Sequence, residues 1–261
     1  MTNVEITPVS AGWTYCGLKV VTVAGSLELS TGDSETLVLP LSGGCTVEAE
    51  GQTFVLDGRE SVFAANTDFV YLPRDCTAVV TAVSSKIAFP SAVCTRRLPV
   101  RYVPAASTPV ELRGAGNCSR QVNNFCTPDV FEADKLIACE VLTPGGNWSS
   151  YPPHKHDEAG PGECELEEIY YFEVAGGGMG YQRVYGTTEV LEEVRTDDVV
   201  LIPHGWHGPS MAVPGYDLYY LNVMAGPGTE RAWLISDDPA HGWIRETWQN
   251  QELDPRLPFY S

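Results

Sequence analysis

Apolar positions come in short runs, each closed by a turn signal. Residues 36–41 (TLVLPL) stop at Ser42, Gly43 and Gly44; residues 45–49 resume the run and end at Glu50 and Gly51. Residues 53–56 lead into Asp57 and Gly58, and Phe69–Leu72 ends at Pro73, Arg74 and Asp75. Runs this short, punctuated by Gly, Asp and Pro, predict the strands of an antiparallel sandwich or barrel. Few stretches hold the period of a helix.

The second half repeats that outline. Residues 135–142 (KLIACEVL) read as a strand closed by TPGG, and 168–174 as a strand before three glycines. Gly180–Tyr185 and 189–194 form a hairpin, Val199–Ile202 is a strand, and 216–224 is a long apolar strand. Val70-Tyr71-Leu72-Pro73 and Val200-Leu201-Ile202-Pro203 each run into proline at the same relative place, as in a duplicated fold. Residues 97–112, with Pro99, Pro104 and Pro109, read as a linker, and 113–125 (RGAGNCSRQVNNF) as polar loop. The expected division is a barrel over 10–95, linker and loop over 96–119, a barrel over 120–235 and a tail over 236–261 with a short helix at 239–248.

Charge and length narrow the function classes. The 261 residues carry a net charge of -18, which disfavours nucleic acid and anionic membrane surfaces. An anionic substrate would then need local cations. Hydrophobic content of 43% supplies a core, and no apolar run has the length of a membrane span or a signal peptide, so a cytoplasmic protein is expected. The eight cysteines are scattered without a CxxC pair, and reduced, mostly buried thiols are expected.

Candidate chemistry is confined to the second half, because all five histidines lie at or after position 154. His154 and His156 form an HxH pair whose side chains share one side of a strand. His204 and His207 follow in IPHGWHGP. Imidazole is a common ligand for zinc, iron, manganese and nickel. Among the nearby carboxylates, alternation puts Glu168 with Leu166, Tyr170, Phe172 and Val174 on an interior face, and Glu167 with Ile169, Tyr171 and Glu173 on a wetter or subunit-contacting one. An inward carboxylate is costly unless paired or metal-bound. The expected ligands are therefore His154, His156, Glu168 and His207, with His204 near the site and His241 in a capping or packing role.

Three histidines and a glutamate in a duplicated barrel resemble a bicupin, an all-β fold of two double-stranded β-helix (jelly-roll) barrels in one chain. YPPHKHD, LEEIYYF, QRVYG, PGYDLYYLNVMAGP and DDPAH, in this order, resemble the 5-deoxy-glucuronate isomerase family. That family is related to the 4-deoxy-L-threo-5-hexosulose-uronate ketol-isomerases. RGAGNCSRQVNN and TPGGNWSS extend the likeness, which covers about residues 10–243. The resemblance implies isomerisation of 5-deoxy-D-glucuronate to 5-dehydro-2-deoxy-D-gluconate in myo-inositol catabolism, a homo-oligomer, and the same four metal ligands. One departure is PHGWHGP, where the family pattern reads close to PRGYHP.

Aldose–ketose isomerisation moves a proton between adjacent carbons through an enediol. It needs an electrophile on the oxygens, which a divalent metal supplies, zinc or manganese before iron or nickel, and a base near the carbon acid. His204, Glu140 and Tyr220 are candidate bases. Lys155, Arg120, Arg183 and Arg231 are candidate partners for the substrate carboxylate. The rival readings are a cupin metal-dependent dioxygenase and a non-catalytic sugar-binding cupin.

Overall fold

Alternation persists through several of the expected turns, so the strands of the first half are longer than their apolar runs. In the structure, a computed structural model describing residues 4–202 and 204–260, Cys16–Ser30, Ser34–Ala49 and Thr77–Val93 each run unbroken. The expected stop at Ser42-Gly43-Gly44 is a bulge: the register shifts there and the strand bends and continues. Gly43 takes φ +75°, and a Cβ on it would lie 2.4 Å from Ser85 Oγ, so the bend requires glycine. These strands, with Val4–Ile6, Gln52–Arg59, Phe69–Leu72 and Arg101–Val103, make one seven-stranded antiparallel sheet.

Two six-stranded sheets follow. One orders Val199–Ile202, Glu167–Val174, Leu218–Ala225, Ile137–Thr143, Arg120–Cys126 and Val110–Arg113. The other contains Val190–Val194, Gly180–Tyr185, Trp206–Ala212, His154–Lys155 and Ser236–Asp237, with Trp148–Ser149 paired to Trp206–Ala212. They pack face to face around Val122, Val141, Phe172, Val184 and Ala212 as a jelly-roll sandwich. The linker and loop readings need correction. Arg101–Val103, Val110–Arg113 and Arg120–Cys126 are all strands, although the last is polar. Its buried polar side chains are partnered: Gln121 Oε1 accepts from Phe259 N at 2.9 Å, and Asn123 Nδ2 donates to Glu140 and Tyr260. The tail helix is shorter than expected, Ile244–Thr247 followed by a turn over Trp248–Asn250. Pro203, one side of the repeat comparison, lies outside the described residues.

The largest core lies between the halves. It joins Leu37, Leu39, Phe69 and Tyr71 to Phe125, Leu142, Ile169, Tyr171 and Tyr219. The central sheet of the second half is thus buried on both faces, which is why Leu218–Ala225 (LYYLNVMA) reads as continuously apolar. It also corrects the expected wet face of Glu167, Ile169, Tyr171 and Glu173, which the chain's own first half covers. Two carboxylates lock this junction reciprocally. Glu35 accepts the backbone N–H groups of Asp134, Lys135 and Leu136 at 2.6–2.9 Å. Glu167 accepts those of Thr14, Tyr15 and Cys16 at 2.7–2.8 Å.

Candidate active site

The pleat of Glu167–Val174 aims Glu168 into the sandwich, fully buried. His154 pairs directly with His207 across neighbouring strands, so the two rings meet with centroids 4.3 Å apart. The close seating of this strand depends on Gly208, at φ +100°, where a Cβ would stand 1.8 Å from Ser150 O. His156 follows His154, and its Nε2 lies 3.1 Å from Glu168 Oε2. His207 Nε2 lies 3.0 Å from the same oxygen but without hydrogen-bond alignment. The candidate ligand atoms of His156, Glu168 and His207 all lie within 4.8 Å of one another.

Electrostatics at this point suit a cation. Burial opposes ionisation of Glu168, but His207 and His156 outweigh it and hold the carboxyl well below the usual range. Burial and then His207 push His154 down, so its imidazole is neutral. Glu168 Oε1 and both ring nitrogens of His207 are buried without hydrogen-bond partners. Unmade bonds of this kind are expensive. An unpartnered imidazole and carboxylate oxygen, with His156 against the other oxygen of Glu168 and His154 beside them, fit a divalent transition metal.

His154 opens on a cavity of about 390 Å³ whose wall includes Arg113, Arg120, Ser150, Tyr170, Tyr220, Asn222, Trp233, Arg245 and Trp248. Arg120 is buried and has no carboxylate partner among the described residues. Its Nη1 donates to Cys118 O at 3.0 Å and its guanidinium lies over Trp248. Burial, with Arg113 and Arg245 nearby, lowers its pKa to about 10, so it stays charged at neutral pH. Tyr220 stacks on Tyr170 at 4.5 Å, and both hydroxyls meet Ser150 Oγ, at 2.9 and 3.0 Å.

The match to known proteins covers the histidine–glutamate cluster and most of the cavity wall. The model of the KduI/IolB family matches residues 1–244. The chain belongs to the KduI/IolB family. Within it, the chain is 41% identical over 254 residues to a 5-deoxy-glucuronate isomerase of Geobacillus kaustophilus, covering 94% of this chain and 91% of that protein. It is 39% identical over 258 residues to the enzyme of the same name from Bacillus subtilis strain 168, covering 93% and 92%. The crystal structure of an IolB-like protein from Salmonella typhimurium LT2 superposes with a TM-score of 0.88 at 38% identity, covering 92% and 94%. An oxalate decarboxylase of Lactobacillus farciminis shares the fold alone, with a TM-score of 0.63 at 12% identity and coverage of 89% and 82%. The KduI/IolB chain is thus a bicupin.

Several sequence candidates stand elsewhere in this family member. Glu140 lies on the far face of Ile137–Thr143, buried against Arg59 and accepting from Tyr219 Oη at 2.8 Å and Asn123 Nδ2 at 3.0 Å. Its alternate neighbours Cys139 and Val141 face the sandwich, so Glu140 is a junction residue and not a base. Arg231 donates to Phe131 O and Cys126 O, away from the cavity. Lys155 is taken by Asp157, Glu158 and Glu163. Arg183 stacks on Tyr185 outside the cavity wall. His204 is exposed and His241 sits in a turn on Asp238 O. Only Arg120 and Tyr220 of the catalytic and substrate-binding candidates line the cavity. Sequence reading missed Ser150, Tyr170, Asn222 and Trp248; a lone amide in LYYLNVMA was the one available signal.

Proposed function

We propose that the chain isomerises 5-deoxy-D-glucuronate to 5-dehydro-2-deoxy-D-gluconate in inositol catabolism, with a divalent metal, zinc or manganese, held by His154, His156, Glu168 and His207. The observation that carries this reading is one cavity bounded by His154, beside the buried His156–Glu168–His207 cluster, and by Arg120, whose guanidinium has no carboxylate partner among the described residues. The relatives named for this reaction span nearly the whole chain. A metal bound there would polarise the sugar oxygens and stabilise an enediolate.

The chain's residues supply the rest. Arg120 binds the substrate carboxylate, where charge-assisted hydrogen bonds are strongest because water is excluded. Trp248 and Trp233 close the cavity wall around the sugar. Burial raises the Tyr220 phenol, so it is protonated at neutral pH and donates to the oxygen that gains negative charge. Ser150 and Tyr170 orient that hydroxyl. We place the metal unit in the second half, after residue 109, with the first half metal-free.

Elemental analysis of protein purified without added metal, paired with NMR detection of ketose formation from 5-deoxy-D-glucuronate, tests this. Stoichiometric metal and chelator-sensitive turnover without oxygen uptake are expected. Absence of ketose formation by metal-replete protein, or oxygen consumption coupled to turnover, would overturn it.

A further inference from the structure

Asn222 stands out in the cavity wall. Its strand is otherwise apolar at this depth, and the side chain is 3% exposed. It lies directly between Cys139 on one neighbouring strand and Tyr170 on the other. The next pair on the same face sets Glu168 opposite Met224, so Asn222 occupies the row beside the Glu168 cluster. Its Oδ1 is buried and unpartnered, and the side chain makes no hydrogen bond to any described residue. In the same wall Tyr170 and Tyr220 share Ser150, while the ring N–H groups of Trp233 and Trp248 are, like Asn222 Oδ1, buried without partners.

A buried amide without a partner destabilises a fold, and an apolar residue of the same shape would suit this strand better. The amide therefore answers to a ligand. It carries a donor and an acceptor and no charge, so it pairs with a hydroxyl without repelling or neutralising a carboxylate bound at Arg120. We infer that Asn222 is a specificity-determining residue that hydrogen-bonds a hydroxyl of the bound sugar acid, a step that rests on the isomerase reading above. A site built to bond a hydroxyl discriminates strongly against ligands lacking it.

Asn222→Leu tests this in the metal-loaded full chain, by melting temperature, metal content, kcat/KM for 5-deoxy-D-glucuronate and calorimetric Kd for D-glucuronate. The expected result is an equal or higher melting temperature and unchanged metal, with kcat/KM lower by about 10- to 100-fold and binding weakened to match. A purely structural amide would give the opposite stability change, with melting temperature and activity falling together. That result, or kcat/KM within about twofold of wild type, overturns the inference; Asn222→Ala replaces Asn222→Leu if the latter does not fold. If wild type itself forms no ketose, the isomerase reading fails. The Asn222 inference is then judged on D-glucuronate affinity alone, and is overturned if wild type and variant bind equally or wild type does not bind.

Discussion

Glu167 and Glu168 are neighbours in the chain and serve opposite faces of one strand. Glu168 meets His156 Nε2 at 3.1 Å inside the sandwich, while Glu167 receives three backbone N–H groups from the first half. Two chemically alike residues therefore do unrelated work. Glu168→Gln is expected to empty the metal site with little loss of fold. Glu167→Gln is expected to keep metal and to destabilise the chain by about 1.5–3 kcal/mol, the worth of charge-assisted bonds at the junction. Elemental analysis and denaturant melts separate the two. Metal loss in Glu167→Gln would reverse the assignment of faces.

Glu140 offers a contrast between a junction residue and a base. It is paired with Arg59 in a site closed to water. Removing one partner leaves a buried charge uncompensated, so Glu140→Gln is expected to cost about 3–5 kcal/mol. Metal content should stay at the wild-type level. The double variant Arg59→Met with Glu140→Leu should recover most of the loss. A Glu140→Gln protein of wild-type stability with abolished turnover would restore Glu140 to the chemistry.

The tail contributes to the cavity through Arg245 and Trp248, beyond the last residue of the family match. The guanidinium groups of Arg120 and Arg245 both lie over the Trp248 ring, 5.5 and 5.3 Å from its centroid. Trp248→Ala should free the Arg120 guanidinium to wander and raise KM by roughly three- to thirtyfold, on the scale of a cation–π contact. Metal content and kcat should change little. An unaltered KM would show that the tail only covers the cavity.

The tail is fastened by Asp254, which accepts from the Arg256 side chain at 2.6–2.9 Å and from Asn147 Nδ2 at 2.9 Å. The Arg256 bonds hold its carboxyl well below the usual range. With the folded pKa below the unfolded one, the stabilisation is whole above about pH 4 and is lost as pH falls further, through the folded value. Tryptophan fluorescence should therefore show an acid transition of the tail, and Asp254→Asn, which lacks the titrating carboxyl, should show the loosened tail already at neutral pH, with that transition gone. A transition that is unmoved in Asp254→Asn would assign the clamp elsewhere.

The sequence made several strands of the second half readable, because Gly180–Tyr185 and Val199–Ile202 alternate cleanly between partly exposed and buried positions, although the Glu168 strand is buried on both faces. The histidine-and-glutamate constellation was readable for the same reason: period two decides which of two adjacent glutamates points inward. The polar strand Arg120–Cys126 was not, since its amides are satisfied by Glu140, Tyr260 and Phe259 N, partners far away in sequence. Nor was the fate of Arg183, Lys155 and Arg231. A cation in sequence carries no mark of whether a carboxylate, a ring or a carbonyl will claim it. Arg120 too meets a carbonyl and a ring, and differs from them in lining the cavity.

The exchange of carboxylates between the halves has a wider consequence. Residue 35 of the first half holds residues 134–136 of the second, and residue 167 of the second holds residues 14–16 of the first. Such mutual contact, in which each partner offers the same device to the other, is the mark of a two-fold interface between identical subunits. In this chain the two partners are tethered, so their association is intramolecular and independent of protein concentration. The tether lets the first half, which holds no histidine, supply the other face of the junction while the His156–Glu168–His207 cluster stands in the second. The molecule is in effect a dimer in which one subunit has become the scaffold of the other.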